Sequence, residues 1–188
     1  MTEEVLVCDL QFPDEVLIKD IDILDGLDAH FMNRDEAEND PSHKQIITYC
    51  ILHFGKLIHM YRRKAKSGDV RLRKKYSIGV GGHINPVDKR DTLFGTIEAA
   101  CRRELAEEAK CDLLKLNPLF VLYDGTDNVG RVHLGVVYEA EVSRFCSVEE
   151  ADTKMWLPKN ILAKFVDQFS DDVENWTKIV ITKLPDFK

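Results

Sequence analysis

Gly81–Cys111 reads GGHINPVDKRDTLFGTIEAACRRELAEEAKC. Its centre is RELAEE, Arg103–Glu108, which sets Glu104, Glu107 and Glu108 at i, i+3 and i+4. On an α-helix three carboxylates so spaced share one side, within an arc of about 100°. Like charges at that spacing repel by about 0.2–0.5 kcal/mol per pair. The crowding opposes folding unless a cation offsets it. An isolated ExxEE is commonly solvated surface charge. Here it follows Arg103, spaced to pair with Glu107 at i+4, the small helix-favouring stretch Ala99–Cys101, and the glycine pair Gly81 and Gly82. Oxygen-only carboxylate sets suit a hard divalent ion, Mg²⁺ first and Mn²⁺ as its substitute. Glycine lets backbone approach such an ion, or a phosphate, closely.

The rest of the chain bounds this reading. Its 188 residues suffice for one domain with a real core, and 44% hydrophobic with 31% charged residues reads as soluble and globular. The acidic start MTEEVLVCDL has no basic segment and no long apolar run, so it does not read as a secretory signal. No apolar run approaches the roughly 20 residues of a membrane span. The expected compartment is the cytoplasm. A net charge of −7 argues against binding a nucleic-acid polymer, though not a nucleotide held by local charge. The five cysteines form no CxxC and read as free buried thiols.

Strands are expected at 4–8, 12–18, 45–54, 57–63, 76–80, 119–123, 132–142 and 155–158. Gly55–Lys56 should turn the chain between the third and fourth of these. Helices are expected at 19–31, through the carboxylate segment, at 158–169 and at 171–184, with 33–43 a polar loop or a ragged helix end. Strands that do not alternate strictly with helices imply an α+β or α/β/α layered domain. Between Arg62 and Lys75 eight of fourteen residues are Lys or Arg, among them Lys66 and Arg71. Arg62, Arg63 and Lys75 flank expected strands and are the ones suited to a polyphosphate. His83, directly after the glycines, could touch substrate or a metal-bound water. His133 alternates with apolar residues and reads as structural. His30, His43, His53 and His59 have no partner at local metal-ligand spacing. Trp156 and Trp176 read as core, and nothing singles out Tyr123 as a base-stacking ring.

At this point the residues resemble the Nudix hydrolases, whose signature is G-x5-E-x7-R-E-U-x-E-E-x-G-U, with U a bulky aliphatic. Arg103, Glu104, Leu105, Glu107 and Glu108 match its second half, and Gly81–His83 looks like its opening. SIGVGGHINPVD and RVHLGVVY also resemble a Nudix phosphoesterase subgroup with a GGHINPVD-type loop. The resemblance covers about residues 45–170. It implies an α/β fold: a Nudix-type α/β/α sandwich with a mixed sheet and a loop–helix–loop catalytic motif. Residues 45–188 would form that domain and residues 1–44 an N-terminal extension packed on it. Three departures stand out. Counting from Gly82, Asp88 replaces the first Glu, and fourteen residues, not seven, separate it from Arg103. Counting back from Arg103 puts Gly95 there instead. We read an inserted loop at 89–102, with Asp88 or Glu98 as the substitute. Lys110 stands where the motif has its last Gly, and Cys111 where it has an aliphatic, so the helix is expected to end differently.

The resemblance implies metal-dependent hydrolysis of a diphosphate bond in a nucleoside diphosphate linked to another moiety, or in a related nucleotide. Glu104 and Glu108, then Glu107, would hold Mg²⁺ or Mn²⁺ with a backbone carbonyl of Gly81 or Gly82. Arg103 would orient Glu107. Glu104, Glu139, Glu141, Glu149 and Glu150 are all open as general base. The alternatives are a nucleotide-binding regulatory module on the same fold and, further off, an isopentenyl-diphosphate isomerase, for which Cys50 and Cys101 lie in no recognisable motif. The partner would be a small nucleotide or other diphosphate, with no membrane and with a homodimer as one possible assembly.

Overall fold

The computed structural model of the chain describes residues 3–10, 16–65, 72–146, 148 and 151–187, with backbone alone for 16–18. It is an α/β fold with a large antiparallel sheet and several helices. The elements are β1 (Glu4–Cys8), β2 (Val16–Lys19), β3 (Ala29–Asn33), α1 (Arg34–Asn39), β4 (Lys44–Phe54), β5 (Leu57–Arg63), β6 (Tyr76–Ser77), β7 (Gly79–Val80), α2 (Leu93–Glu104), β8 (Leu113–Asp124), β9 (His133–Val142), β10 (Ala151–Pro158), α3 (Lys159–Gln168) and α4 (Asn175–Ile181). No helix among the described residues is long and apolar enough to cross a membrane.

The chain falls into two compact units. The first comprises Met1–Tyr49, Gly81–Glu104 and Pro118–Tyr138. Here β1 lies between β3 and the start of β4, with Cys8 opposite both Ala29 and Lys44. On the edge of the unit β2 pairs with β8, from Val16 opposite Asp124 to Lys19 opposite Val121. Thus strands from the first 44 residues are hydrogen-bonded to strands that follow them. Successive residues of a strand face opposite sides. Val5 and Val7 therefore share one face and pack with Ala37 of α1, Met32 closing the edge. Each such valine contributes about 1.5–3 kcal/mol by burial.

One expectation fails in this region and another is narrowed. The spacing at 19–31 suggested one helix. The structure has a short 3-10 helix, Ile21–Gly26, and then β3. Only Leu24 of that turn is buried, so there is no continuous apolar face to carry a helix onward, and pairing with β1 takes over at Ala29. The stretch 33–43, expected as a loop or a ragged helix end, contains α1. Its start is fixed by the Asn33 side chain, which accepts from the amides of Asp35 and Glu36 at 2.9 and 3.4 Å.

The second unit comprises Cys50–Val80, Leu105–Asn117 and Glu139–Lys188. The hairpin of β4 and β5 turns at Gly55–Lys56 as its sequence requires. Gly55 takes φ +52°, His53 faces Ile58 and Phe54 faces Leu57. β10 runs antiparallel along β5 from Pro158 opposite Leu57 to Ala151 opposite Arg63, with a bulge between Ala151 and Thr153. It begins earlier than 155, and Pro158 caps α3 rather than starting it. α4 is shorter than expected because a 3-10 turn, Ser170–Asp172, occupies its first residues. Before α4 the buried Glu174 carboxylate accepts from Ser77 Oγ at 2.6 Å and Thr177 Oγ1 at 3.2 Å, with Arg63 Nε at 3.6 Å. That set satisfies a charge that would otherwise be costly to bury.

His59 of β5 is fully buried between Tyr61 and Trp156, and neither ring nitrogen has a hydrogen-bond partner among the described residues. Burial, and to a lesser degree the Lys154 charge, pushes its pKa down to about 4. An unfolded chain takes up this proton near pH 6.5. The stability this group contributes is therefore intact above about pH 6.5 and is lost as pH falls toward 4, to the extent of about 3 kcal/mol. His59→Phe is expected to flatten that part of the profile, as read by urea unfolding between about pH 7 and pH 4.5. Of the cysteines, Cys8, Cys50 and Cys101 are buried, whereas Cys111 and Cys146 are half-buried and hydrogen-bonded to each other.

Candidate functional site

The glycine pair is built against β4. Gly81 takes φ +148°, and a β-carbon there would fall 2.2 Å from the Thr48 carbonyl oxygen. The Thr48 amide donates to Gly82 O at 3.1 Å, and the Gly82 amide donates to Thr48 Oγ1 at 3.3 Å. A β-carbon on Gly82 would lie 3.0–3.2 Å from the Glu104 carboxylate. Only a bare backbone lets that carboxylate come so close. His83 then bridges to Ile47, and Asn85–Asp88 closes a 3-10 turn with a reciprocal cap, the Asn85 amide donating to Asp88 Oδ2 at 2.9 Å.

Arg103 ties this loop to the helix. Its Nε and Nη2 fork onto the two Asp88 oxygens, each at 2.8 Å, while Nη1 meets Glu104 Oε1 at 2.7 Å and Nη2 also donates to His83 O at 3.1 Å. Asp88 is 3% exposed and Glu104 9%. Burial pushes the Asp88 carboxyl up, but the Arg103 guanidinium and the Asn85 amide outweigh it and hold it below the usual carboxylate range. The hydrogen bonds that Arg103 donates to Asp88 and Glu104 in turn keep it protonated. Of the two expected substitutes for the missing first Glu, Asp88 therefore makes the buried contact. Glu98 pairs with Arg102 at 2.8 Å on an exposed face. The spacing aimed Arg103 at Glu107. Its fork onto Asp88, fifteen residues back, could not be read from local periodicity.

The expected loop at 89–102 is mostly helix, because α2 begins at Leu93. Seven added residues are close to two α-helical turns. Ten of the fourteen residues between Asp88 and Arg103 are helical, Leu93–Arg102, and they bring Arg103 to the side that faces Asp88. A π-helical turn, Leu105–Ala109, continues α2, with Glu107 exposed and Glu108 half-buried. Such turns recur at functional sites, and their wider spacing replaces the compact α-helical arc. Among the described residues, two sets of potential metal-ligand atoms converge within 4.8 Å, Asp9–His30–His43 and Glu38–His83–His133. The glutamate triplet is not one of them. Its oxygen donors nonetheless fit a hard divalent ion, with Glu104 pressed against a glycine backbone that a β-carbon would fill.

The helix stop is also unlike the expectation. Lys110 itself takes the left-handed conformation, φ +47°. A side chain there costs about 1–2 kcal/mol, partly offset in Gly by the entropy of its unfolded state. Lys110→Gly is expected to stabilise the fold by about 0.5–1 kcal/mol, a gain visible as a higher urea midpoint with unchanged slope.

The basic residues make local contacts in the second unit. Arg62 Nε donates to Lys74 O at 2.9 Å and its guanidinium lies 5.5 Å from the Tyr76 ring. Arg63 meets Glu174, and Lys75 Nζ donates to Asp171 O. Lys66, Arg71, Glu149 and Glu150 lie outside the described residues. Glu139 accepts from Asn117, and Tyr123 carries the Lys44 ammonium 5.6 Å from its ring centre.

No family model matches the chain. Over 157 residues it is 28% identical to Protein YmaB of Bacillus subtilis (strain 168), a match spanning 80% of this chain and 75% of that protein. The crystal structure of Tm1382, assigned to the Nudix hydrolases, matches with a TM-score of 0.74 at 27% identity, over 96% of this chain and 97% of that one. A NUDIX-family hydrolase from Clostridium perfringens shares the fold at a TM-score of 0.50 and 19% identity, over 73% of this chain and 93% of that one. With RELAEE behind a glycine pair and the fold of Tm1382 along nearly its whole length, the chain belongs to the Nudix superfamily of phosphoric anhydride hydrolases, which cleave pyrophosphate bonds.

Proposed function

We propose that the chain hydrolyses the diphosphate bond of a nucleoside diphosphate linked to another moiety, or of a related nucleotide, with Mg²⁺ or Mn²⁺ as cofactor. The observation that carries this reading is the buried Asp88–Arg103–Glu104 arrangement against Gly82. It sets a carboxylate, met by Arg103 at Oε1, beside a bare glycine backbone, which supports a role in holding a phosphate-bound cation. A divalent ion held by Glu104, Glu107 and Glu108, with a carbonyl of Gly81 or Gly82, supplies charge neutralisation at the phosphate oxygens and a bound water of lowered pKa. Asp88 acts through Arg103 to position Glu104. Gly82 keeps the approach to Glu104 open. Arg62, Arg63 and Lys75 supply positive charge for the polyphosphate, and His83 borders the substrate next to the glycines.

The test is a metal-dependent screen of canonical and oxidised nucleotides, ADP-ribose, sugar nucleotides, dinucleoside polyphosphates and CoA. Turnover is expected with Mg²⁺ or Mn²⁺ for at least one of these. Glu108→Gln is expected to lower kcat by about 10²-fold or more. Full activity in that variant, or in EDTA, would remove the mechanism. An absence of turnover across the panel would favour a binding module.

A further inference from the structure

We propose that Glu38, His83 and His133 form a second cation site, for a zinc-class dication, separate from the glutamates of the catalytic helix. The three residues come from three elements of the first unit: the last turn of α1, the residue after the glycine pair, and the start of β9. One ligand atom from each lies within 4.8 Å of the other two. The imidazole rings are 5.9 Å apart between centroids and tilted by 57°. In tetrahedral coordination at zinc–nitrogen distances near 2 Å, donors stand about 3.3 Å apart. Small side-chain rotations close the difference.

The surroundings prepare these residues as ligands. Asp127 Oδ1 accepts from the amides of Val129 and Gly130 at 2.9 and 2.8 Å and so fixes that turn. The Val129 carbonyl is thereby presented to His133 Nδ1 at 2.6 Å. A carbonyl can only accept, so Nδ1 carries the proton and Nε2 the lone pair. This is the arrangement by which metal-bound histidines are oriented and made more basic. His133 is 6% exposed, and Glu38 and His83 are half-buried. α1 packs on the 3-10 turn Gly130–Val132 that leads into His133, which brings Glu38 to the pair. Glu38 is also 3.9 Å from Arg34, but Arg34 has a closer partner in Glu3 at 2.7 Å.

Two imidazoles and a carboxylate match borderline cations of the zinc class, not the hard ions suited to oxygen-only sets. Three protein ligands leave a fourth coordination position for water or an anion. His83 adjoins Gly82, and its carbonyl is held by Arg103, so an ion here would brace the glycine loop directly. The other converging set, Asp9–His30–His43, is less suited. His43 Nδ1 and Asp9 Oδ1 already form a hydrogen bond at 2.6 Å on an open face.

The test uses the full chain, stripped with EDTA and dialysed, then titrated with Zn²⁺ against a chromogenic chelator. A parallel titration with Co²⁺ reads the visible absorption of a low-coordinate site. One equivalent is expected to bind, with affinity reduced at least about tenfold in Glu38→Gln and in His133→Asn, and changed less than about threefold in Glu108→Gln and Asp9→Asn. If His133→Asn fails to fold by circular dichroism, the more accessible Glu38→Gln decides. Absence of stoichiometric binding would overturn the proposal. So would binding lost in Asp9→Asn, which assigns the ion to the other cluster, or in Glu108→Gln, which assigns it to the catalytic helix. Because the readout is metal affinity, its failure leaves the hydrolase reading untouched.

Discussion

Arg103→Ala is expected to destabilise the protein by about 3–5 kcal/mol and to abolish hydrolysis. The guanidinium touches both oxygens of Asp88 and one of Glu104, and both carboxylates are at or below 9% exposure. Alanine leaves two buried charges without their shared counter-ion, which is the costly way to break an ion pair. Arg103→Lys is expected to recover only part of the loss, because an ammonium cannot fork across two groups in fixed planes. The pH dependence separates this account from a simple packing defect. In the wild type the Asp88 carboxyl titrates below the usual carboxylate range. Its contribution is therefore present above about pH 4 and is lost as pH falls through the depressed value. Without Arg103, burial dominates and the loss moves to higher pH. The stability gap between wild type and Arg103→Ala should thus be widest near neutrality and narrow in acid, as measured by urea unfolding across that range. A gap independent of pH would refute the electrostatic account.

Gly81→Ala is the second large effect. Here φ is +148° and the new β-carbon would meet the Thr48 carbonyl oxygen at 2.2 Å. Backbone must move, and the backbone in question carries the Thr48–Gly82 hydrogen bonds that place the loop. A loss of about 4 kcal/mol or more, or failure to fold, is expected from strain and collision together. Gly82→Ala is the informative contrast. Its β-carbon meets the end of a side chain, Glu104, at 3.0 Å, so the fold should survive while the carboxylate is displaced and activity falls. Thermal unfolding combined with turnover distinguishes the two: Gly81 carries mainly the fold, Gly82 mainly the chemistry. Equal stability losses at both positions would contradict this division.

What could be read from sequence follows from what is local. The β4–β5 hairpin was legible because Gly55–Lys56 separates two apolar runs and fixes the register on its own. The carboxylate-bearing helix was legible because its charges are too crowded to be accidental. β3 was missed because Ile21, Leu24 and Leu27 satisfy a helical spacing as well as they satisfy a turn before a strand, and only pairing with β1 decides. α1 was read only as a loop or a ragged helix end because five polar residues around a single alanine, Ala37, show no apolar face, although Asn33 as a cap was the available sign. The substitute for the motif's missing first Glu was narrowed to Asp88 or Glu98, of which Asp88 is the buried one, whereas the local spacing had aimed Arg103 at Glu107. The convergence of Glu38, His83 and His133 had no local signal, since the three are separated by 45 and 50 residues in the chain.

The helical path of α2 from Leu93 to Arg103 sets a rule for how this segment can change in length. Each residue added or removed within Leu93–Arg102 turns the guanidinium by about 100° around the helix axis. A change of seven returns it to within about 20° of its starting direction, whereas a change of five swings it about 140° away from Asp88. Changes of seven residues are therefore expected to be the best tolerated, with the non-helical residues 89–92 taking up the axial shift of about 10 Å. An engineered excision of seven residues should retain the Arg103–Asp88 fork, and one of five should lose it.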